Sequence, residues 1–290
     1  VGRAVSATAT VKWLALDPYL GPTEVASRTL DNVHLLVTDL LAGGVWTAIF
    51  VPAHFVLALG LGLVAAAVLA YRRRRGWRLG MVLVLILGTL IPASYDTMLW
   101  NRVRYIWPFA PAWFIAVACI FGGLGDLLAR VHRRAAMLAA ALAGAAVAQL
   151  GAQLDWSSRD LAQSARAISL QQVALGRWAA LELAPEAVIG VNDTGAIAYM
   201  SGRRTFDVVG LTTEGEARYW VEGAGSRFEH YERLGVERLP THFIVYPEWL
   251  AMSAVLGPIL TQATVLDQSI LGGDTMVAYE ARYEALGLPG

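Results

Sequence analysis

From Val45 to Leu154 the chain consists of apolar runs separated by short charged punctuation, and no other feature constrains its fold as strongly. A helix needs about 20 apolar residues to cross the hydrocarbon core of a bilayer. Four runs meet or approach that length: Val45–Tyr71, Leu79–Tyr95, Tyr105–Leu128 and Ala135–Leu154. The fourth is rich in alanine, and small residues let helices approach closely within a bundle. Core helices of a large soluble protein are the other reading, but four consecutive runs with charged breaks are rare there. Charged residues make up only 16% of the chain, against about 25% in ordinary soluble domains. The shortage is confined to the runs, and charge returns beyond Asp155.

Basic loops set the orientation, because lysine and arginine concentrate on the cytoplasmic side. The first two runs are joined by "RRRRGWR" (Arg72–Arg78) and the last two by "DLLARVHRR" (Asp126–Arg134). Both loops are expected inside. The segment before Val45, the Tyr95–Tyr105 connection and everything after Leu154 then lie outside. In the first of these, Leu30, Val33, Val37, Leu40 and Leu41 recur at helical spacing, which predicts an amphipathic helix over Thr23–Gly44 at the outer surface. His34 falls on its polar face. The formal net charge is zero, so nucleic acid is excluded as a partner class. Cys119 is the only cysteine and lies in an apolar run, which leaves no disulfide framework or thiolate metal site. The chain starts at Val1 without a signal-peptide pattern, and a fragment or trimmed product is expected.

The connection "SYDTMLWNRVRYIWPFAPAW" (Ser94–Trp113) departs from the charge rule by placing Arg102 and Arg104 outside. Tyr95, Trp100, Tyr105, Trp107 and Trp113 form an aromatic belt around them, and Pro108 and Pro111 free backbone groups at the start of the third span. Arginine at that depth suits a lipid phosphate, whose oxygens its planar fork engages in pairs, with Tyr105 adding a hydroxyl. Pairing of Asp96 with Arg102 or Arg104 is the structural alternative.

Beyond Asp155 the pattern changes to that of a small α/β domain. A helix is expected over Ser157–Leu183, ended by Pro185. Strands are expected at Ala187–Val191, Thr205–Leu211 and His242–Tyr246, and in "ATVLDQ" and "TMVAYEAR" around a Leu271–Asp274 turn. Asp193 or Thr194 is placed to cap a short helix over Ala196–Met200. Asp207 lies amid apolar neighbours, and a buried carboxylate needs partners. Arg203 or Arg204 is the structural candidate, and a contact with an acceptor or lipid is the functional one.

The full expectation is an α-helical polytopic membrane bundle of four spans followed by a small extracytoplasmic α/β domain. Its parts are an outer-face segment over 1–44, the bundle over 45–154 and the domain over 155–290.

"NRVRYIWPFAPAW" resembles the arginine–tyrosine–proline signature on a late membrane helix of the GT-C glycosyltransferases, relatives of the protein O-mannosyltransferases and lipid A aminoarabinose transferases. The stretch "VIGVNDTGAIAYMSGRRTFDVVGL" resembles the segment following the last membrane helix in bacterial GT-C-type proteins, through Asp193, Gly195, Ala196, Tyr199, Asp207, Gly210 and Leu211. The resemblance implies a multi-pass protein of the bacterial inner membrane with its C-terminal domain outside the cytoplasm. It implies a polyprenyl-phosphate sugar donor as substrate, membrane lipid as surroundings, and Arg102, Arg104 and Tyr105 as the lipid-phosphate clamp. In that family an acceptor hydroxyl attacks the anomeric carbon, a carboxylate acts as base and the lipid phosphate leaves. The family's catalytic carboxylate follows its first membrane helix, and no acidic pair occupies such a place here. The catalytic residue is therefore unassigned, and the chain is expected to need further N-terminal membrane helices. No cofactor is evident, and any divalent metal would belong to those upstream segments. The reading from a different class is a non-catalytic membrane-anchored scaffold whose outer domain binds a glycan or a partner protein.

Overall fold

A computed structural model describes residues 7–42, 76–98, 104–105, 108, 110–132, 134, 136–266 and 270–288. The first expected span, Val45–Tyr71, lies outside the described residues, as do Trp100, Arg102 and Trp107. The chain divides into two compact units, one of Trp13–Arg159 and one of Val1–Lys12 with Asp160–Gly290. The second unit thus combines a short N-terminal helix, α1 (Ala7–Lys12), with the C-terminal α/β part, and α1 packs against the turn Glu216–Arg218.

The Trp13–Arg159 unit is helical. It contains α2 (Pro22–Ala42), α3 (Gly76–Ala93) and α4 (Ala110–Val131), and it takes in most of α5 (Ala136–Ile168). Of the expected apolar stripe of α2, the described side chains are Val33, which is half-buried, and Leu30, which is 68% exposed; Thr29, Asn32 and Leu36 are covered as well. At the C-terminal end of α3, Pro92 and the helix end leave carbonyls without helical partners. Asn32 Nδ2 donates to the carbonyls of Ala93 at 2.8 Å and Tyr95 at 3.4 Å, and the Leu14 amide donates to Ser94 at 2.9 Å.

The expected fourth span and the expected domain helix form one helical run. α5 passes through a π-turn, Ser169–Val173, directly into α6 (Ala174–Glu182). Among the described residues one helical run is long and apolar enough to cross a membrane, Met137–Glu182, and only 6% of its apolar window is buried.

The α/β part is a five-stranded sheet in the order β2-β1-β3-β5-β4. Its strands are β1 (Val188–Val191), β2 (Arg204–Asp207), β3 (His242–Val245), β4 (Leu256–Thr264) and β5 (Thr275–Ala281). β1 runs parallel to β2 and β3, and β5 runs antiparallel to β3 and β4. Two helices complete it: α7 (Thr194–Ser201) between β1 and β2, and α8 (Tyr219–Leu234) between β2 and β3. Period-2 alternation sends the two faces of each strand into separate cores. Ile189, Val191, Ile244, Met276 and Ala278 pack with Leu175 and Ala179 of α6 and Ile197 of α7. Phe243, Val245, Val277 and Tyr279 pack with Tyr231 of α8 and with Val208 and Met252. The sheet therefore sits between α6–α7 on one face and α8 on the other. Gly190 lets the layers close, since a Cβ there would lie 2.3 Å from the Phe243 ring.

Candidate functional site

β2, β1 and β3 all point the same way, so their carboxyl ends share one edge of the sheet. The chain leaves β1 for β2 on one side and returns through α8 to β3 on the other. The edge between β1 and β3 is thus the point where strand order reverses, which is where open α/β sheets bind ligands. The residues following these strands gather there.

After β2, the Asp207 carboxylate organises a tight loop. Its Oδ1 accepts from the amides of Val209 at 2.9 Å and Gly210 at 3.0 Å, and its Oδ2 from the Thr212 amide at 2.8 Å and hydroxyl at 3.3 Å. The Asp207 amide donates to Thr213 Oγ1 at 2.7 Å. Gly210 is required here: its φ is 82°, and a Cβ would fall 2.1 Å from the Ala217 nitrogen. This corrects the expected Asp207–arginine pair. Arg203 Nη2 instead donates to the carbonyls of Ala180 and Leu183, both at 2.9 Å, closing the C-terminal end of α6. Arg204 is exposed at the start of β2. The expected strand over Thr205–Leu211 stops at Asp207 because the carboxylate captures the amides that follow.

After β1, Asp193 stands at the N-terminal boundary of α7 but makes no capping bond with its side chain. Its carboxylate accepts from Gln172 Nε2 at 2.5 Å. Gln171, beside it in the π-turn, donates to the carbonyls of Gly273 and Asp274 and accepts from the Tyr246 hydroxyl at 2.8 Å. π-turns are frequent at functional sites, and this one carries two buried glutamines to the strand edge. Asn192 is 5% exposed, and neither Oδ1 nor Nδ2 has a hydrogen-bond partner in the protein.

Behind β2 lies a buried ionisable cluster. Arg227 Nη2 donates to the Val208 carbonyl at 3.0 Å, Nη1 reaches Met252 Sδ at 3.4 Å and the Leu250 carbonyl at 3.5 Å, and Nε makes no hydrogen bond. Glu216 lies 4.0 Å from Arg227 Nε, accepts from the Tyr231 hydroxyl at 3.2 Å and approaches His230 Nε2 at 3.5 Å. Burial raises the Glu216 carboxyl to about 7, although Arg227, Tyr231 and Arg218 all pull it down. Burial, then Arg218 and Arg233, hold His230 below its ordinary value. Burial likewise drives the Tyr231 hydroxyl well above the usual tyrosine range.

In the helical unit, Arg104 is exposed. Its Nη2 donates to the Tyr105 hydroxyl at 3.4 Å, and its guanidinium lies 5.2 Å from that ring's centre. Tyr95 meets Tyr105 edge-on at 5.6 Å. Among the described residues no carboxylate, Asp96 included, lies within salt-bridge distance of Arg104. No group of three or more metal-ligating side chains occurs among the described residues.

Of the residues to which the sequence pointed, Asp193 and Asp207 lie at the carboxyl ends of β1 and β2, whereas Arg203 and Arg204 lie at the amino end of β2. Asn192, Gln171, Gln172, Glu216 and Arg227 were missed. The adjacent glutamines inside an apolar helical stripe were the available signal.

Residues 162–287 match a family described as Domain of unknown function (DUF8728), which coincides closely with the Asp160–Gly290 part of the second unit. No curated protein and no solved structure matches the chain.

Proposed function

We propose that this chain is a portion of an integral membrane glycosyltransferase that uses a polyprenyl-phosphate-linked sugar at the outer face of a bacterial inner membrane. It would contribute lipid-phosphate binding and the extracytoplasmic domain. The observation that carries this reading is Arg104, an exposed guanidinium without a carboxylate partner among the described residues, braced by Tyr105 ahead of the apolar helix α4. An arginine so held is free to give its fork to phosphate oxygens and to stabilise charge as the lipid phosphate departs. The base and the remaining donor contacts would come from upstream membrane helices. The scaffold reading is favoured by one observation, the separate match of residues 162–287 to a domain family.

The test is binding of a short-chain polyprenyl phosphate to the purified chain in detergent. Arg104→Ala and Arg104→Lys should both weaken it about tenfold or more, because lysine keeps charge but not the paired geometry. Equal affinity in the wild type and both variants would leave the scaffold reading ahead.

A further inference from the structure

The two edges of the sheet are finished differently. β2 is four residues long, with Arg203 and Arg204 at its start and Asp207 at its end. Short length and charge are how proteins keep an edge strand from pairing with another chain. β4, the opposite edge, runs for nine residues, and from Leu256 to Leu266 the chain carries no charge. Its first half is irregular, with Pro258 and register shifts on either side of Ile259, but from Thr261 to Thr264 it pairs with β5 in unbroken register. The Val265 amide donates to the Asp274 carbonyl at 2.8 Å, so alternate residues from Thr261 to Val265 turn their backbone groups toward β5. Gln262 and Thr264 then present theirs outward, and no described strand pairs with them. The side chains of Ile259, Leu260, Gln262, Thr264 and Leu266 are exposed as well.

The sequence on that edge is close to a palindrome. About Ala263, the stretch "LTQATVL" (Leu260–Leu266) mirrors Gln262 onto Thr264, Thr261 onto Val265 and Leu260 onto Leu266. Each mirrored pair is matched in character: two uncharged polar residues, two β-branched residues, two leucines.

We propose that β4 is a homodimerisation edge, onto which a second copy of this chain adds its own β4, antiparallel, about a two-fold axis at Ala263. Gln262 of each copy then exchanges both backbone hydrogen bonds with Thr264 of the other, and one sheet runs through both domains. Leu260 of each copy meets Leu266 of the other, which takes four exposed leucines out of water. A two-fold interface needs a patch that complements itself, and an uncharged near-palindrome is such a patch. Slipping the register by two residues loses the leucine pairs, and in one direction it sets Pro258, which has no amide hydrogen, against Leu266. Strand addition of this length lies at the small end of specific interfaces, so the association is reversible. The proposal does not rest on the transferase reading, and its failure would leave Arg104 untouched.

The test uses the full chain in detergent. Sedimentation of the wild type should show a concentration-dependent dimer. Gln262→Lys should weaken it about tenfold or more at an unchanged thermal midpoint, because it sets like charges on neighbouring positions of one face. Mixing Gln262→Lys with Gln262→Glu should restore association, which pairing with an unrelated protein would not produce. Cross-linking reads the register, with Cys119→Ala removing the only native cysteine. Ala263→Cys should give a disulfide-linked dimer on mild oxidation, since directly opposed residues of a non-hydrogen-bonded pair stand about 4.5 Å apart at Cα. Gln262→Cys should cross-link far less, its two Cα atoms lying about 7–8 Å apart. A monomer at every concentration would overturn the proposal. A dimer indifferent to Gln262→Lys, or one that Gln262→Cys cross-links as well as Ala263→Cys, would overturn it too, by placing the contact elsewhere.

Discussion

The ends of β2 and β1 lie side by side on one sheet edge and treat their polar groups in opposite ways. At the end of β2, every lone-pair direction of Asp207 that matters is used, and four donors saturate a carboxylate that is 0% exposed. At the end of β1, Asn192 is nearly as buried and bonds to nothing in the protein. Both residues are short, polar and placed just where a parallel strand stops. What separates them is the backbone that follows: Gly210 folds three amides back onto Asp207, whereas no amide of the helix that Thr194 begins bonds to Asn192. A polar residue at a strand end is satisfied when the next turn supplies donors to it, and left unpaired when the next turn does not.

The sharpest way to break that contrast is to remove the saturated carboxylate. Asp207→Ala orphans three loop amides and should destabilise the domain by about 3–5 kcal/mol, enough to abolish cooperative unfolding in a chain of ordinary stability. Asp207→Asn keeps an acceptor oxygen and should cost about half as much. Thermal unfolding followed by circular dichroism reads both. A loss below about 1 kcal/mol for Asp207→Ala would show that the loop does not depend on the carboxylate.

Glu216 tests the next level of the comparison, a carboxyl that is buried but only partly answered. Its folded value of about 7 lies above its unfolded value of 4.5, so the folded state holds the extra proton between them. The stability it confers is fully present below about 4.5 and is lost as pH rises through 7, a swing of about 3 kcal/mol. His230 and His242, both held below their ordinary value chiefly by burial, act in the opposite direction below 6.5. The difference between wild type and Glu216→Gln isolates the carboxyl, because the amide keeps the Tyr231 bond without titrating. Identical pH slopes for the two proteins would mean that Glu216 stays ionised in its pocket.

The same contrast explains what could be read in the sequence. The segment His242–Val245 was legible because an apolar run without glycine or proline has few other uses. The Ala187–Val191 and Thr275–Ala281 segments were legible as short, mostly apolar runs bounded by turn residues, despite Gly190 and Glu280 within them. The reading of Thr205–Leu211 as one strand failed at Asp207, where side-chain capture of amides beats β-propensity, and propensity cannot foresee it. α8 went unread because Gly223 and Gly225 dilute its apolar spacing, and the helix does break locally at Gly223, with φ of 86°. α2 was placed correctly along the chain, whereas the bonds from Asn32 to the carbonyls of Ala93 and Tyr95 join residues far apart in sequence, which local pattern does not foresee.

The smallest effect concerns the strained segment between β3 and β4. Ala251 is exposed with φ of 48° and ψ of 44°, a left-handed conformation that costs an L-residue about 1–2 kcal/mol. Glycine there removes the strain but loses about 0.5–1 kcal/mol through the greater freedom of the unfolded chain. Ala251→Gly should therefore stabilise the fold by about 0.5 kcal/mol, with no side-chain contact to confuse the result. Valine, whose branched Cβ tolerates this region least, should destabilise it by about 1 kcal/mol or more. If the segment relaxed to an ordinary conformation in solution, both substitutions would shift the unfolding midpoint by amounts typical of an exposed loop, and the order of glycine above alanine above valine would be lost. Keeping that order would show that the left-handed conformation at Ala251 persists in solution and is held there by the fold around it.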